Sequence, residues 1–390
     1  MSPAPAPIPA RHLTLLASSL GIAALAIGLA ACPTVAPCEV SCGQGCCAAN
    51  ETCSSDFTCQ CAPSCDGKGC GEDDGCGNAC NDPCTQGDTG PGRDAGKPDA
   101  GRADVGTPDT GPKVDAGPVG APVAFKVMDW NVHDFFDEND DPAKNDTVVS
   151  ATSVTSKIAK LAKVINAQAP DIVTLQEVET EDLLRRLNDK LTVKLPNYKL
   201  IPGRDPRGIN VAILSKFPLL LTKTHQNEWL YTPDGRGPYK WSRDCLEAHV
   251  DLGGNREAAF LVNHFISQVD DNVDTDLKRQ AQAKAARDLA DGIRNSTPWV
   301  AVIITGDMND DPGSASTRLF FDDGMYVDFW AGQSASAAWT YKDGSTPHRL
   351  DYLIPDKTTA GWKQSATLVH SMDVTAASDH SPVTASFTYP

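Results

Sequence analysis

Apolar patterning is concentrated after Ala121, where short strand-like runs alternate with amphipathic helical stretches. Residues 125–130, 171–175, 209–214, 245–252, 258–262, 300–305, 349–354 and 382–387 read as strands, each apolar and bounded by turn-forming residues. Helical spacing appears over 156–167, where Ile158, Leu161, Val164 and Ile165 share one face, over 181–191, and over 276–293. Many strands with fewer helices predict two packed mixed sheets sheathed by helices, an α/β (α+β) four-layer αββα sandwich spanning 122–390.

The first 121 residues have a different texture. Arg11 and His12 precede an apolar run over 13–29, which reads as an export signal over 1–31. The small residues before Cys32 resemble the lipobox of bacterial lipoproteins, which would make Cys32 the lipidated mature N-terminus. An uncleaved membrane anchor is the alternative, because about 20 apolar residues can cross a bilayer, although Ser, Gly and Ala weaken this run. Either reading places the rest of the chain outside the cytoplasm.

Twelve of the 14 cysteines fall between Cys38 and Cys84. A segment this short buries little apolar surface, so 32–84 is expected to be a disulfide-rich module. Zinc is the weaker alternative: Cys42/Cys46, Cys61/Cys65 and Cys76/Cys80/Cys84 have three intervening residues, and no His lies between His12 and His133. Residues 85–121 are Gly, Pro, Asp, Ala and Thr with recurring Asp-Ala-Gly units, a disordered linker that gives the last domain reach. Cys245 stands apart in an apolar strand and reads as a buried, inert thiol.

A net charge of -17 disfavours broad electrostatic wrapping of nucleic acid, yet leaves open a hydrolase that needs cations only in its cleft. The acidic runs 137–141 and 270–276 read as solvated loops, since the second lacks the glycine and distal glutamate of an EF-hand.

Polar residues collect where the apolar strands end: Asn131, Glu177, His264, Asp307 with Asn309, Asp351, and Asp379 with His380. Carboxylate and amide oxygens suit Mg²⁺, Mn²⁺ or Ca²⁺. A histidine beside a carboxylate suits a general base held in one tautomer. Together they supply what attack of water on a phosphodiester needs.

The strings Asp-Trp-Asn131, Leu-Gln-Glu177-Val-Glu, Val-Asn-His264-Phe, Gly-Asp307-Met-Asn309-Asp, Arg349-Leu-Asp351-Tyr and Ser-Asp379-His380 resemble, in order, the motifs of the endonuclease/exonuclease/phosphatase superfamily. That resemblance implies a deoxyribonuclease-I-like fold and metal-dependent phosphodiester hydrolysis. It implies Glu177 as metal ligand, supported by Asn131 and assisted by Asp379. Asp307 and Asn309 would orient water and phosphate, His380 would be the general base paired to Asp351, and His264 would hold a phosphate oxygen. His133 departs from the pattern of abasic-site endonucleases, which carry an aspartate there, and so disfavours a repair role.

Local strings around Arg207 and Arg243 resemble the extracellular endonuclease-like branch, and both arginines are candidates for substrate phosphate. The stretch 229–243 interleaves Tyr231, Tyr239 and Trp241 with Arg236, Lys240 and Arg243, a candidate nucleic-acid clamp or else a packed strand and loop. The expectation is a monomeric, exported nuclease acting on DNA or RNA, attached to the membrane through Cys32, with wall or glycan contact open to the Cys-rich module. A phospholipase C, sphingomyelinase or small-molecule phosphatase on the same fold is the alternative, as is a surface-binding lipoprotein with an inactive domain.

Overall fold

The computed structural model describes residues 120–268 and 272–390, together with the backbone of four short strands between residues 40 and 61. The export signal, Cys32, the disulfide bonds, the linker up to residue 119 and Asp270 and Asp271 of the second acidic run lie outside the described residues. The chain divides into two units, residues 1–105 and 106–390. In the first, β1 (Val40–Cys42) pairs antiparallel with β2 (Gly45–Cys47), and β3 (Glu51–Cys53) with β4 (Cys59–Cys61).

The second unit runs β5 (Val123–Phe135), α1 (Ala151–Gln168), β6 (Ile172–Val178), α2 (Glu181–Lys190), β7 (Asn197–Leu200), β8 (Asn210–Ser215) and β9 (Leu219–Lys223). It continues through β10 (Cys245–Gly253), β11 (Arg256–His264), α3 (Val273–Ser296), β12 (Ala301–Asp307) and α4 (Ala315–Phe321). The final stretch holds β13 (Tyr341–Asp343), β14 (Thr346–His348), β15 (Asp351–Pro355), α5 (Lys357–Ala360), β16 (Lys363–Leu368), α6 (Met372–Ala377) and β17 (Val383–Tyr389).

One sheet has the order β16-β17-β5-β6-β8-β7 and the other β15-β12-β11-β10-β9. Each contains one parallel pair, β5 with β6 and β11 with β12, among antiparallel neighbours. Side-chain alternation sorts the apolar residues into three layers. Phe125, Val127 and Ile172 of the first sheet meet Leu246, Phe260 and Ile303 of the second in the central core. Met128, Trp130 and Leu175 face Ile158, Leu161 and Ile165 of α1 on one outer side. Val302 and Ile304 face Ala283 and Ala286 of α3 on the other. The predicted two-sheet sandwich is therefore present, helices outside.

Helix ends follow local chemistry. Ser150 caps α1 by accepting from the Ser153 amide, so the helix starts five residues earlier than its apolar stripe predicted. Asn272 and Thr275 form a reciprocal capping box on α3. Helices α4 to α6 and strands β7, β9, β13, β14 and β16 were not predicted, being short or carrying no strong alternation. Among the described residues no helix is long and apolar enough to cross a membrane.

Candidate active site

The polar strand ends converge at one edge of the sandwich. Parallel pairing sets His264 opposite Asp307, while antiparallel pairing sets Asp307 opposite Asp351. Gly306 makes the close approach of β11 and β12 possible: with φ at 135°, a Cβ there would lie 2.0 Å from the Asn263 carbonyl oxygen.

Both central strands of the other sheet break their pairing at this level. Register shifts between Asn131 and Phe135 on β5, and between Gln176 and Val178 against β8. His133, Asp134 and Glu177 carry φ values of 52°, 43° and 65°, a left-handed conformation uncommon for residues with a Cβ. These bulges re-aim side chains that a regular strand would send to opposite faces. The Asp134 amide donates to Glu177 Oε2 at 2.8 Å, and the His133 amide to Asn131 Oδ1 at 2.9 Å. Asn131 Nδ2 in turn donates to Asp307 Oδ2 at 2.9 Å and lies 3.4 Å from Glu177 Oε1.

Beneath the site Asp129, fully buried, accepts from Thr174 at 2.7 Å and Gln176 at 2.9 Å, and Thr174 meets Thr305 of the facing sheet at 2.9 Å. This buried polar link ties the two sheets together under the cleft. Burial raises the Asp129 carboxyl to about 7 against those hydrogen bonds.

His380 Nδ1 lies 2.7 Å from Asp351 Oδ2, and its Nε2 is 3.9 Å from Asp307 Oδ2. The backbone on either side is fixed, since Trp130 Nε1 donates to the His380 carbonyl at 2.9 Å and Ser378 Oγ to the Asn131 carbonyl at 2.8 Å. Tyr341 covers the imidazole at 4.9 Å between ring centroids. Burial disfavours charge on His380, but the Asp351 carboxylate, then Asp307 and Asp379, push it up to about 10. Burial raises Asp307 to about 7, with Asp351 adding to the effect. His264, also buried, lies 3.6 Å from Asp307 Oδ2, and burial and then Arg243 hold its imidazole neutral. Burial opposes ionisation of Glu177, yet its carboxyl stays at about 2. With His264 neutral, the Asp134 amide and the charges of Arg207 and His380 are what keep Glu177 ionised near neutral pH.

Ligand-type atoms of His133, Asp134 and Glu177 lie within 4.8 Å of one another, as do those of Asp307, Asp351 and His380. The first group fits a hard divalent cation, because it opens to solvent and offers an ionised carboxylate beside a second one and the Asn131 amide. In the second group Asp351 is already committed to His380, which suits a fixed acid–base pair better than a cation.

The structure thus brings Asn131, Glu177, His264, Asp307, Asn309, Asp351 and His380 together. Asn309, with φ at 50°, donates its own amide to Asp307 Oδ1 at 2.8 Å and its Nδ2 to the Phe265 carbonyl at 3.1 Å. Asp379 stands at the rim, 3.2 Å from His133 Nδ1, and belongs to neither group. Arg207 is half exposed and 3.5 Å from Asp134. Arg243 is buried, 2.7 Å from Asp205 Oδ2 and donating to the Phe265 carbonyl at 2.7 Å.

The 229–243 stretch is not one continuous surface. Trp241 packs against Phe265 in the core and Tyr239 is half-buried, whereas Trp229, Tyr231 and residues 233–238 are exposed, with Lys240 3.6 Å above the Trp229 ring. Of the first acidic run, Asn139, Asp140 and Asp141 are exposed as expected, whereas Asp137 is buried and accepts from the Asn139 amide at 2.7 Å. Cys245 is fully buried as expected, and burial raises its thiol.

Sequence reading missed Asp134, Lys157 and Tyr341. Lys157, on α1, donates to the carbonyls of His133 at 2.8 Å and Ala377 at 2.6 Å, tying the β5 bulge to the segment that carries His380. Asp134 could have been suspected from its place just past the Asn131 motif. Nothing local marks Lys157 or Tyr341.

Fold and site together define a hydrolase of the type that works on phosphate esters. The family described as Endonuclease/Exonuclease/phosphatase matches over residues 126–323, and the chain belongs to that family. Members of this superfamily are hydrolases acting on phosphodiester bonds, and proteins with this fold generally use divalent metals.

The crystal structure of an endonuclease/exonuclease/phosphatase from Beutenbergia cavernae is 17% identical, covers 68% of this chain and 72% of that chain, and has a TM-score of 0.50. The human Nocturnin catalytic domain with bound sulfate anion is 20% identical over 69% of this chain and 94% of that chain, with a TM-score of 0.47. A Caenorhabditis elegans protein provisionally named neutral sphingomyelinase is 22% identical over 189 residues, 47% of this chain. The match spans 42% of that relative's length.

Proposed function

We propose that the chain is an exported, divalent-metal-dependent nuclease that hydrolyses phosphodiester bonds of DNA or RNA. The observation that carries this reading is the buried His380–Asp351 pair facing Asp307, one strand away from an ionised Glu177. Glu177, with Asn131 and Asp134 beside it and Asp379 at the rim, would hold a magnesium-class ion, Mg²⁺, Mn²⁺ or Ca²⁺. When bound, that ion supplies positive charge to the phosphate and its leaving oxygen.

The remaining work falls to side chains. His264 and Asn309 grip phosphate oxygens, and Arg207 at the rim adds charge; Arg243 acts on the site through its field, since its guanidinium is held by Asp205. Asp307 orients the attacking water, and His380 accepts its proton through Nε2 while Asp351 fixes the ring. An imidazole surrounded by carboxylates accepts a proton only after losing the one they stabilise.

A phospholipid substrate is the second reading, favoured by the name of the C. elegans relative. The test is a panel of plasmid DNA, RNA, sphingomyelin and inositol phosphates with each cation, using wild type, Glu177→Ala and His380→Ala. Cation-dependent nuclease activity lost in both variants is expected. Nuclease activity surviving both substitutions and excess chelator would overturn the assigned site, and turnover of sphingomyelin alone would replace the substrate.

The domain scheme follows from the sequence: signal over 1–31, Cys-rich module over 32–84, linker over 85–121 and the hydrolase, working as a monomer, over 122–390. The lipid anchor at Cys32 would hold the enzyme at a membrane, and wall or glycan contact is assigned to the Cys-rich module. A Cys32→Ser chain is expected to lose detergent partitioning; retention would count against the anchor.

A further inference from the structure

A cavity of about 480 Å³ opens beside the candidate active site, between the end of β5 and the first turns of α1. Its lining includes Asp134, Phe136, Ser153, Ser156, Lys157 and Lys160. Asp134 belongs both to this lining and to the group of ligand-type atoms with Glu177, so the cavity adjoins the place where the reacting phosphate would sit.

The charges on this lining point to its ligand. Lys157 and Lys160 bring two ammonium groups, and Ser153 and Ser156 bring hydroxyls that can donate. Lys157 has three N–H groups, of which the His133 and Ala377 carbonyls take two. Asp134 is the one carboxylate on the lining, and it is engaged by Arg207 at 3.5 Å. Phe136 and Val154 close the floor with apolar surface. The combination suits a second anionic group joined to an apolar or planar body, and it repels a cationic headgroup.

We propose that this cavity is a subsite for the neighbouring phosphate of a polynucleotide strand, held by Lys157 and Lys160 while the scissile phosphate lies at Glu177 and His380. The inference rests on the nuclease reading and sharpens it. A strand offers consecutive phosphates, whereas a phosphocholine lipid offers one phosphate and a cation. The subsite therefore selects oligonucleotides by contacts away from the reacting bond, which is where specificity is gained without altering the chemistry.

The test uses the full chain and three thymidine dinucleotides: TpT, the same with a 5′-phosphate (pTpT) and with a 3′-phosphate (TpTp). One phosphorylated form is expected to exceed TpT in kcat/KM by about tenfold or more, the scale of a charge-assisted hydrogen bond. That ratio is expected to fall towards one in Lys160→Glu and to recover in Lys160→Arg. Calorimetry with metal removed by chelator is expected to show the same ranking in binding.

A wild-type ratio near one for both phosphorylated forms overturns the subsite, as does a ratio that Lys160→Glu leaves intact. Failure to cleave TpT, pTpT and TpTp alike, with sphingomyelin turned over, instead removes the nuclease reading and the subsite with it. The two failures are told apart by whether any dinucleotide is hydrolysed.

Discussion

His380 and Asp351 meet across two segments of chain, with Nδ1 2.7 Å from Oδ2 and both groups buried. Replacing Asp351 with Asn keeps the shape but removes the charge that selects the tautomer and steadies the imidazolium. We expect kcat to fall by about 10² to 10⁴-fold, with far-UV circular dichroism and melting temperature nearly unchanged. A loss of less than threefold would show that the pair does not serve the reaction.

Glu177 is clamped by the Asp134 amide and presents its other oxygen to the cleft. Glu177→Gln preserves the amide contact and removes the anion, so cation affinity measured by titration with Mn²⁺ should drop by about 10 to 100-fold. Wild-type protein should gain melting temperature on adding the cation, and the variant should gain little. Equal affinity in the two proteins would move the cation elsewhere.

Gly306 has no room for a methyl group, since its Cβ would meet the Asn263 carbonyl oxygen at 2.0 Å. Gly306→Ala must separate β11 from β12 or distort both, at a cost of about 2 to 4 kcal/mol in urea unfolding. Because Asp307 follows directly, activity should fall further than stability alone explains. An unchanged urea midpoint would contradict this packing.

A partly buried chain of acids and imidazoles centres on Glu247 and His249 of β10. His225 bridges Glu228 at 2.6 Å and Glu247 at 2.7 Å, and His249 bonds Glu247 at 3.0 Å and also Glu257. Burial alone would lower His249, but Glu247 and Glu257 raise it to about 9 from 6.5. A raised histidine stabilises fully below about 6.5, and the contribution fades as pH climbs through about 9. Discounted for partial exposure, it is about 1 to 2 kcal/mol. The stability gap between wild type and His249→Gln should be widest near pH 6, narrow from about 6.5 upward and level off above about 9; a gap constant with pH would sink the assignment.

The residues legible in sequence were those that end strong apolar strands. Asn131, Glu177, His264, Asp307 and His380 could be read because β-strand geometry delivers strand ends to a common edge, and because their motifs resemble a known order. Asp134 escaped notice because its direction depends on two successive left-handed residues that no periodicity encodes. Lys157 looked like any lysine on the polar face of a helix until the fold set two carbonyls against it. Arg243 differs in another way: a cation near the motifs looked unpartnered, and folding sets Asp205 2.7 Å from it. Trp241 likewise looked like part of a clamp and is core. Short edge elements such as β16, with the sequence KQSATL, carry no buried face long enough to set a period.

Strand β17 lies between β16 and β5, so the last strand of the hydrolase unit pairs with its first. A chain still being synthesised can already contain Asn131, Glu177, His264 and Asp307 and yet own no working centre. Until residues 383–389 pair with β5, nothing fixes His380 against Trp130, and β5 is left as an open edge of the sheet. The wiring of the sheet thus acts as a timing device, delaying hydrolytic power until the whole domain has arrived.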